Sequence, residues 1–543
     1  MSTDMSSNRY WGTHWQALFV LALLLSGCML GPDFTRPPTK VSQTWLEASD
    51  QRVKTEPAEY TDWWQVFNDP VLDQLIARAY RENLSLKIAG VRVLEARAQL
   101  GIAAGGLFPQ TQQAYGSLQY NRTSEQSPQA GALPVGRGAV NPASNPLLSY
   151  WQSQIGLSAS WEIDFWGKFR RAIESANASW LVSIANYDSA LVSLTASVAN
   201  SYISIRTLEK RLDIAHQNVE IQRESVKIAE ARFQYGTASQ LDLEQAKTVL
   251  YNTLASIPVL ETQLRQAMDA LSVLLGVPPT DLADLLKGVS EIPVSPAQVV
   301  TGIPADLLRR RPDIRSAEQQ AAAQCAQIGV TKADLYPALS LTGNFGFLSS
   351  DVGNFKLSDM FEWRSRTGQT GPSFQWNILN YGRITNNVRV QDARFQELLL
   401  GYQNTVLAAQ QDVEDNLTAF LKAQDRAGFL AQSVEAARKS LDLAVLQYRE
   451  GTTDFTTVLI AQQALLNEQD NLASTLGNIS SSLVGVYRAL GGGWEVREGK
   501  DLVPSEIKEE MRKRTHWGKL LAPASHNPPP SEEPKPTIRL PDW

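Results

Sequence analysis

Side chains able to do covalent or ionic chemistry are few and scattered in this chain. There are two cysteines, Cys28 and Cys325, and four histidines in 543 residues. His216 stands alone in a run that reads as helix, and no HExxH, GxSxG or phosphate-loop sequence occurs. "GALPVGRG" has the glycines of a phosphate loop without its Lys and its Ser or Thr. "LRRRP" is a basic cluster ahead of a helix start, suited to local pairing. Glu162 and Asp164 share the polar side of an alternating segment, an open face and not a closed pocket. A net charge of −6 and a pI near 5.5 exclude the clustered basic charge that nucleic-acid phosphates require. No catalytic residue, cofactor or metal site is expected.

Cys28 is the exception. It closes "LALLLSGC", directly behind the apolar run Ala17–Leu25, which is too short to span a bilayer as a helix and suits the h-region of a secretory signal. The flank is only weakly basic, with Arg9 and His14. The ending "LSGC" resembles the lipobox of bacterial lipoproteins, whose cysteine becomes the lipidated first residue of the mature chain. A plain buried cysteine behind a cleaved signal is the alternative. Met29, in place of an Asp, implies by that resemblance sorting to the outer membrane. Lipidation of Cys28 leaves Cys325 no disulfide partner. Its Ala-rich surroundings, "AAAQCAQIG", suit a small buried apolar side chain.

Length alone predicts two to four domains, but the chain repeats itself. A shift of 215 brings Gly156 onto Gly371, Trp161 onto Trp376, Gly236 onto Gly451 and Gly276 onto Gly491 without a gap. Upstream the shift is 228, pairing Gly101 with Gly329 and Pro109 with Pro337, so the first copy carries 13 extra residues between Pro109 and Gly156. "GALPVGRGAVNPASNP" in that segment reads as a surface loop. Within each unit, apolar residues alternate at four and three from Tyr187 to Phe233, broken by Ser201 and Gln222, and from Tyr402 to Tyr448, broken by Asn416. That 3.5-residue period describes a coiled-coil seam, on a helix ~100 Å long at ~1.5 Å per residue. A second run follows each, and Pro258 should bend or break the first copy of it. Gly236 and Gly451 then turn two antiparallel hairpins, with the following Thr, Ser239 and Asp454 as caps of the returning helices.

Ahead of each long helix the period becomes two. "WQSQIGLSASWEIDF" (Trp151–Phe165) alternates over fifteen residues with aromatics at both ends. "SFQWNI" (Ser373–Ile378) repeats the pattern, and "QQAYGSLQYN" (Gln112–Asn121) and "ALSLTGNFGF" (Ala338–Phe347) supply partner strands. Fifteen residues exceed an ordinary soluble strand and fit a membrane barrel with aromatic girdles; a half-exposed soluble sheet is the alternative. Glu162 and Asp164 would then face a barrel lumen. Four strands cannot close a barrel, and open edges are forbidden in hydrocarbon, so other copies of the chain must complete it.

"GCMLGPDFTRPP", "DWWQVFNDPVLDQLI", "SWEIDFWGKFRRA", "IPADLLRRRPDIRSAE" and the two turn sequences together resemble the TolC family of outer-membrane efflux channels, in its OprM/NodT-like lipoprotein branch. The resemblance implies a mostly α chain with a membrane β-barrel, assembled as a homotrimer with twelve strands and a tunnel of twelve helices. The organisation expected is a signal peptide over 1–27, a lipid-anchored segment and first helices over 28–106, a barrel hairpin over 107–166 and a coiled-coil hairpin over 167–276. An equatorial segment over 277–306, a helix over 307–336, a second barrel hairpin over 337–382 and a second coiled-coil hairpin over 383–491 follow. An equatorial or partly disordered tail occupies 492–543. It further implies that Tyr235, Gly236 and Thr237, with Glu450, Gly451 and Thr452, meet a periplasmic adaptor linked to an inner-membrane RND-type transporter. Family gates often carry acids just inside the second tip; Thr456, Thr457, Ile460 and Gln463 stand there, implying a neutral gate, with Asp454 and Asp242 as weaker candidates. A type I protein-secretion duct and, in another class, a periplasmic adaptor lipoprotein are the competing readings.

Overall fold

The computed structural model describes residues 29–56, 60–122, 124, 149–288, 291–351 and 356–522. Cys28, the signal segment, most of the extra loop and the chain beyond 522 lie outside the described residues. The elements, in chain order, are β1 (Val53–Lys54), α1 (Pro70–Glu82), α2 (Leu84–Gly105), β2 (Thr111–Arg122), β3 (Ser149–Ile163), α3 (Lys168–Gln234) and α4 (Gln240–Leu274). Then come β4 (Val299–Val300), α5 (Leu307–Arg310), α6 (Pro312–Ala333), β5 (Ala338–Ser350), β6 (Arg366–Gln375), α7 (Arg383–Arg449), α8 (Phe455–Ala489) and α9 (Ser505–Arg514).

The duplication is visible in lengths: α3 and α7 each have 67 residues, and α4 and α8 each have 35. The heptad stripe of α3 packs against α4 through Leu208, Ala215, Val219, Leu250, Ile257 and Leu260. Nearer the turns both hairpins share one core, in which Leu243 and Val249 meet Leu441, Phe455 and Leu465. Pro258 lies inside α4 without breaking it. The missing donor costs one backbone bond, and packing along the whole helix outweighs that loss, so the expected break does not occur.

Four antiparallel strands form one sheet in the order β2-β3-β5-β6. Register puts Leu118, Trp151, Ile155, Leu157, Leu341 and Phe345 on one face, all exposed, while Gln154, Ser158, Asn344 and Gln369 line the other. The last strand begins earlier than its sequence suggests: Trp376 and Ile378 lie beyond its end at Gln375. Edge strands β2 and β6 have no partner on their outer sides among the described residues.

A belt crosses the helices at mid-length. β1 and β4 pair in parallel, Val53 with Val299. Buried Asp188 of α3 accepts from Arg315 of α6 at 2.6 Å and from Arg497 at 2.9 Å, and Trp494 lies under both guanidinium groups. Up to residue 522 the tail is more ordered than its composition suggests. Ser505–Arg514 is helical, and Val503, Met511 and Leu521 bury themselves on Leu94 of α2; apolar residues spaced along a charged stretch suffice to dock it.

Candidate functional site

The hairpin turns are built alike. Gly236 and Gly451 take φ of 72° and 74°, which a side chain would strain. The Thr237 N–H donates to the Arg232 carbonyl at 2.8 Å and the Gly236 N–H to the Phe233 carbonyl at 3.0 Å. Thr452 and Gly451 repeat both bonds onto Gln447 and Tyr448, at 3.0 Å each. These are Schellman ends, which satisfy the last carbonyls of the outgoing helices. The threonine hydroxyls join them, each donating to the same carbonyl at 3.0 Å. The threonines therefore close the outgoing helices, not the returning ones as the sequence suggests. Ser239 and Asp454 do cap the returning helices, Ser239 in a reciprocal box with Asp242 and Asp454 through the Thr457 N–H at 3.2 Å. Tyr235 is 85% exposed, and Gly236, Thr237, Glu450, Gly451 and Thr452 are exposed too.

Thr456, Thr457, Ile460 and Gln463 share the exposed face of α8, opposite buried Phe455, Val458, Leu459 and Gln462. Asp454 and Asp242, the weaker gate candidates, are occupied in the caps. The hairpins of one chain meet along a polar seam that the sequence reading passed over. Arg211 pairs with Asp470 at 2.7 Å, Asn218 donates to Gln469 at 2.8 Å, and Ser225 accepts from Gln462 at 2.6 Å. Arg232 donates to the Tyr448 carbonyl and lies 4.5 Å above the Tyr448 ring. These four residues of α3 recur every seventh position, a signal present in the sequence beside the apolar stripe. Burial raises the Tyr448 hydroxyl above its ordinary range.

Where strands become helices, indole N–H groups hold the junctions. Trp161 donates to the Leu107 carbonyl at 3.1 Å and its repeat mate Trp376 to the Leu335 carbonyl at 3.0 Å. Of the two carboxylates placed together by sequence, only Glu162 stays on the polar face of the sheet. Asp164 instead accepts from the Phe169 and Arg170 N–H groups at 3.0 Å each and from the Arg170 guanidinium, holding the start of α3. The chain behind Cys28 is fixed at the same level. The Leu30 N–H donates to the Trp166 carbonyl at 3.1 Å, and buried Arg171 reaches the Leu30 carbonyl at 3.0 Å and Asp33 at 2.7 Å. Among the described residues no group of three His, Cys, Asp or Glu could hold a metal.

A sheet with an apolar outward face, joined by short junctions to two equal helical hairpins, is the arrangement of a membrane-embedded duct with a long extension. Residues 75–277 and 303–492 match the family described as outer membrane efflux protein. The chain belongs to that family. Nodulation protein T of Rhizobium leguminosarum bv. viciae is 32% identical over 483 residues, 88% of this chain and 93% of that protein. The pyoverdine export outer membrane protein OpmQ of Pseudomonas putida is 33% identical over 442 residues, 80% of this chain and 88% of that one. The solved outer-membrane channel OprN superposes with a TM-score of 0.77 at 30% identity, covering 86% of this chain and 100% of that one. As an efflux protein of the outer membrane, the chain places its strands in the bilayer and its hairpins in the periplasm.

Proposed function

We propose that this chain supplies one third of a trimeric exit duct, which passes small molecules outward from a periplasmic adaptor and an inner-membrane RND-type transporter. The observation that carries this reading is the open four-stranded sheet, apolar on its outward face and, among the described residues, unpaired at both edges. Such edges are untenable in hydrocarbon unless sister strands take them up. Exposed Leu400, Leu407 and Leu443 on α7 and Tyr251 and Val259 on α4 give the hairpins matching unburied apolar area for neighbouring copies. OpmQ is named for pyoverdine, a small molecule, and that favours a small cargo over a secreted protein. The duct does no chemistry on what it carries.

Three local roles belong to the same reading. The exposed turns Tyr235–Gly236–Thr237 and Glu450–Gly451–Thr452 meet the adaptor. Thr456, Thr457, Ile460 and Gln463 ring the closed end with neutral side chains. Cys28 carries the lipid, because the chain from Leu30 onward is held at the sheet's helix-side rim, where acyl chains can enter the inner leaflet. The test is efflux in cells that contain the adaptor and transporter but lack this chain. Restoring the wild type should restore efflux, and a Gly236→Asp/Gly451→Asp variant that still trimerises should not. Full efflux by that variant overturns the tip assignment; failure of the wild type to trimerise overturns the duct.

A further inference from the structure

Along the four strands the lipid-facing side carries two charged residues, Arg122 and Arg366. Arg122 is opposite Ser149, two places beyond the Tyr120–Trp151 pair, and Arg366 is opposite Phe347, two places beyond Phe345. Period-two geometry therefore puts both on the side that bears Leu118, Leu157 and Phe345. Each is the terminal residue of its strand at the end away from the long helices. With the hairpins in the periplasm, that end is the external rim. Both residues are exposed. They also occupy β2 and β6, the two edge strands. Edge-to-edge closure brings Arg366 of one copy and Arg122 of the next to the top of one seam.

The rim is shaped as well as charged. The Arg366 guanidinium donates to the Trp363 carbonyl at 2.9 Å and lies 5.0 Å over the Trp363 ring. Trp363 in turn is 6.4 Å from Phe345 and two-thirds exposed, and Tyr120 stands 5.3 Å from Trp151 below Arg122. Aromatic rings of this kind mark the level at which hydrocarbon gives way to headgroups. An arginine on the lipid face is costly at the midplane and nearly free of cost near an interface. Here both sit where the cost is least and an anionic headgroup is closest. The guanidinium fork matches phosphate oxygens two at a time.

The external leaflet of an outer membrane is built of glycolipid phosphorylated at its headgroup. We propose that each subunit seam binds one such phosphorylated glycolipid, its phosphate held between Arg366 of one chain and Arg122 of the next, with Trp363 and Tyr120 against its sugar base. The site rests on the trimeric reading above, and its test reads the two separately. Full-length protein, first checked for trimer by light scattering, is reconstituted into neutral phospholipid vesicles containing bisphosphorylated lipid A, fully dephosphorylated lipid A, or neither. The bisphosphorylated lipid should raise the dissociation midpoint of the trimer by about 5 °C, and the dephosphorylated lipid should leave it unchanged. Arg122→Gln/Arg366→Gln should lose that rise while keeping the wild-type single-channel conductance. Equal stabilisation by both lipids overturns the site, as does a full rise in the double variant or equal protection by millimolar inorganic phosphate. The wild-type lipid comparison stands even if the double variant fails to fold. A preparation with no trimer sinks the duct reading before any lipid is added.

Discussion

At the scale of single residues, the sharpest expectations concern the two thiols and one arginine. Burial pushes the Cys325 thiol up to about 11, and its sulfur sits 3.6 Å from the Pro32 carbonyl. The folded protein should resist alkylation at pH 8, where the thiolate fraction is negligible, and react only as pH nears that value or the chain unfolds. After denaturation, thiol titration of the mature protein should find one group, because the proposed lipidation consumes Cys28 as a thioether; two groups would show that no lipid is attached. Arg232 makes the second case. Arg232→Ala removes the bond to the Tyr448 carbonyl and the ring contact, so amide exchange around Thr452 should rise about tenfold, equivalent to ~1.4 kcal/mol. Unchanged exchange there would mean that Arg232 does not couple the tips. The apolar stripe was readable because a 3.5 period averages over many residues. The contacts of Arg211, Asn218, Ser225 and Arg232 were not, because period alone does not say which helix faces a polar position.

At the scale of elements, duplication carried most of the information. The 215-residue shift predicts equal hairpins, and both turn geometry and the Trp161 and Trp376 anchors repeat under it. What it could not give was the end of each strand. Gly and Pro in "RTGQTGPSFQ" weaken any strand signal, yet β5 supplies the ladder that holds this segment as β6. The tail shows the same limit, since docking on α2 decides a helix that its charge argues against. The hairpins approach closely at Gly477, where an added Cβ would lie 2.2 Å from the Thr207 hydroxyl and 3.2 Å from its Cβ. Gly477→Val should therefore cost about 1–3 kcal/mol, read as a lower thermal midpoint with the sheet signal retained. A midpoint equal to wild type would show that α3 and α8 do not pack this closely.

At the scale of the whole molecule, the neutral ring proposed for the closed end makes a prediction in current. Channels in planar bilayers should conduct with little sensitivity to divalent cations added from the periplasmic side. Thr457→Asp, which gives a trimer three carboxylates, should create strong block; strong block of the wild type would reveal an acidic ring elsewhere. The open edges of one sheet and the exposed apolar stripes of two hairpins make the single chain an incomplete object, which its alternating strands already announce. The leader contact has a mechanical side. Only Met29 stands between Cys28, the proposed lipid site, and the hydrogen bond that pins Leu30 beside Trp166. On the proposed lipidation, so short a tether would make the fatty acids a depth gauge, setting how far the barrel rides in the bilayer and resisting any pull toward the cell interior during transport.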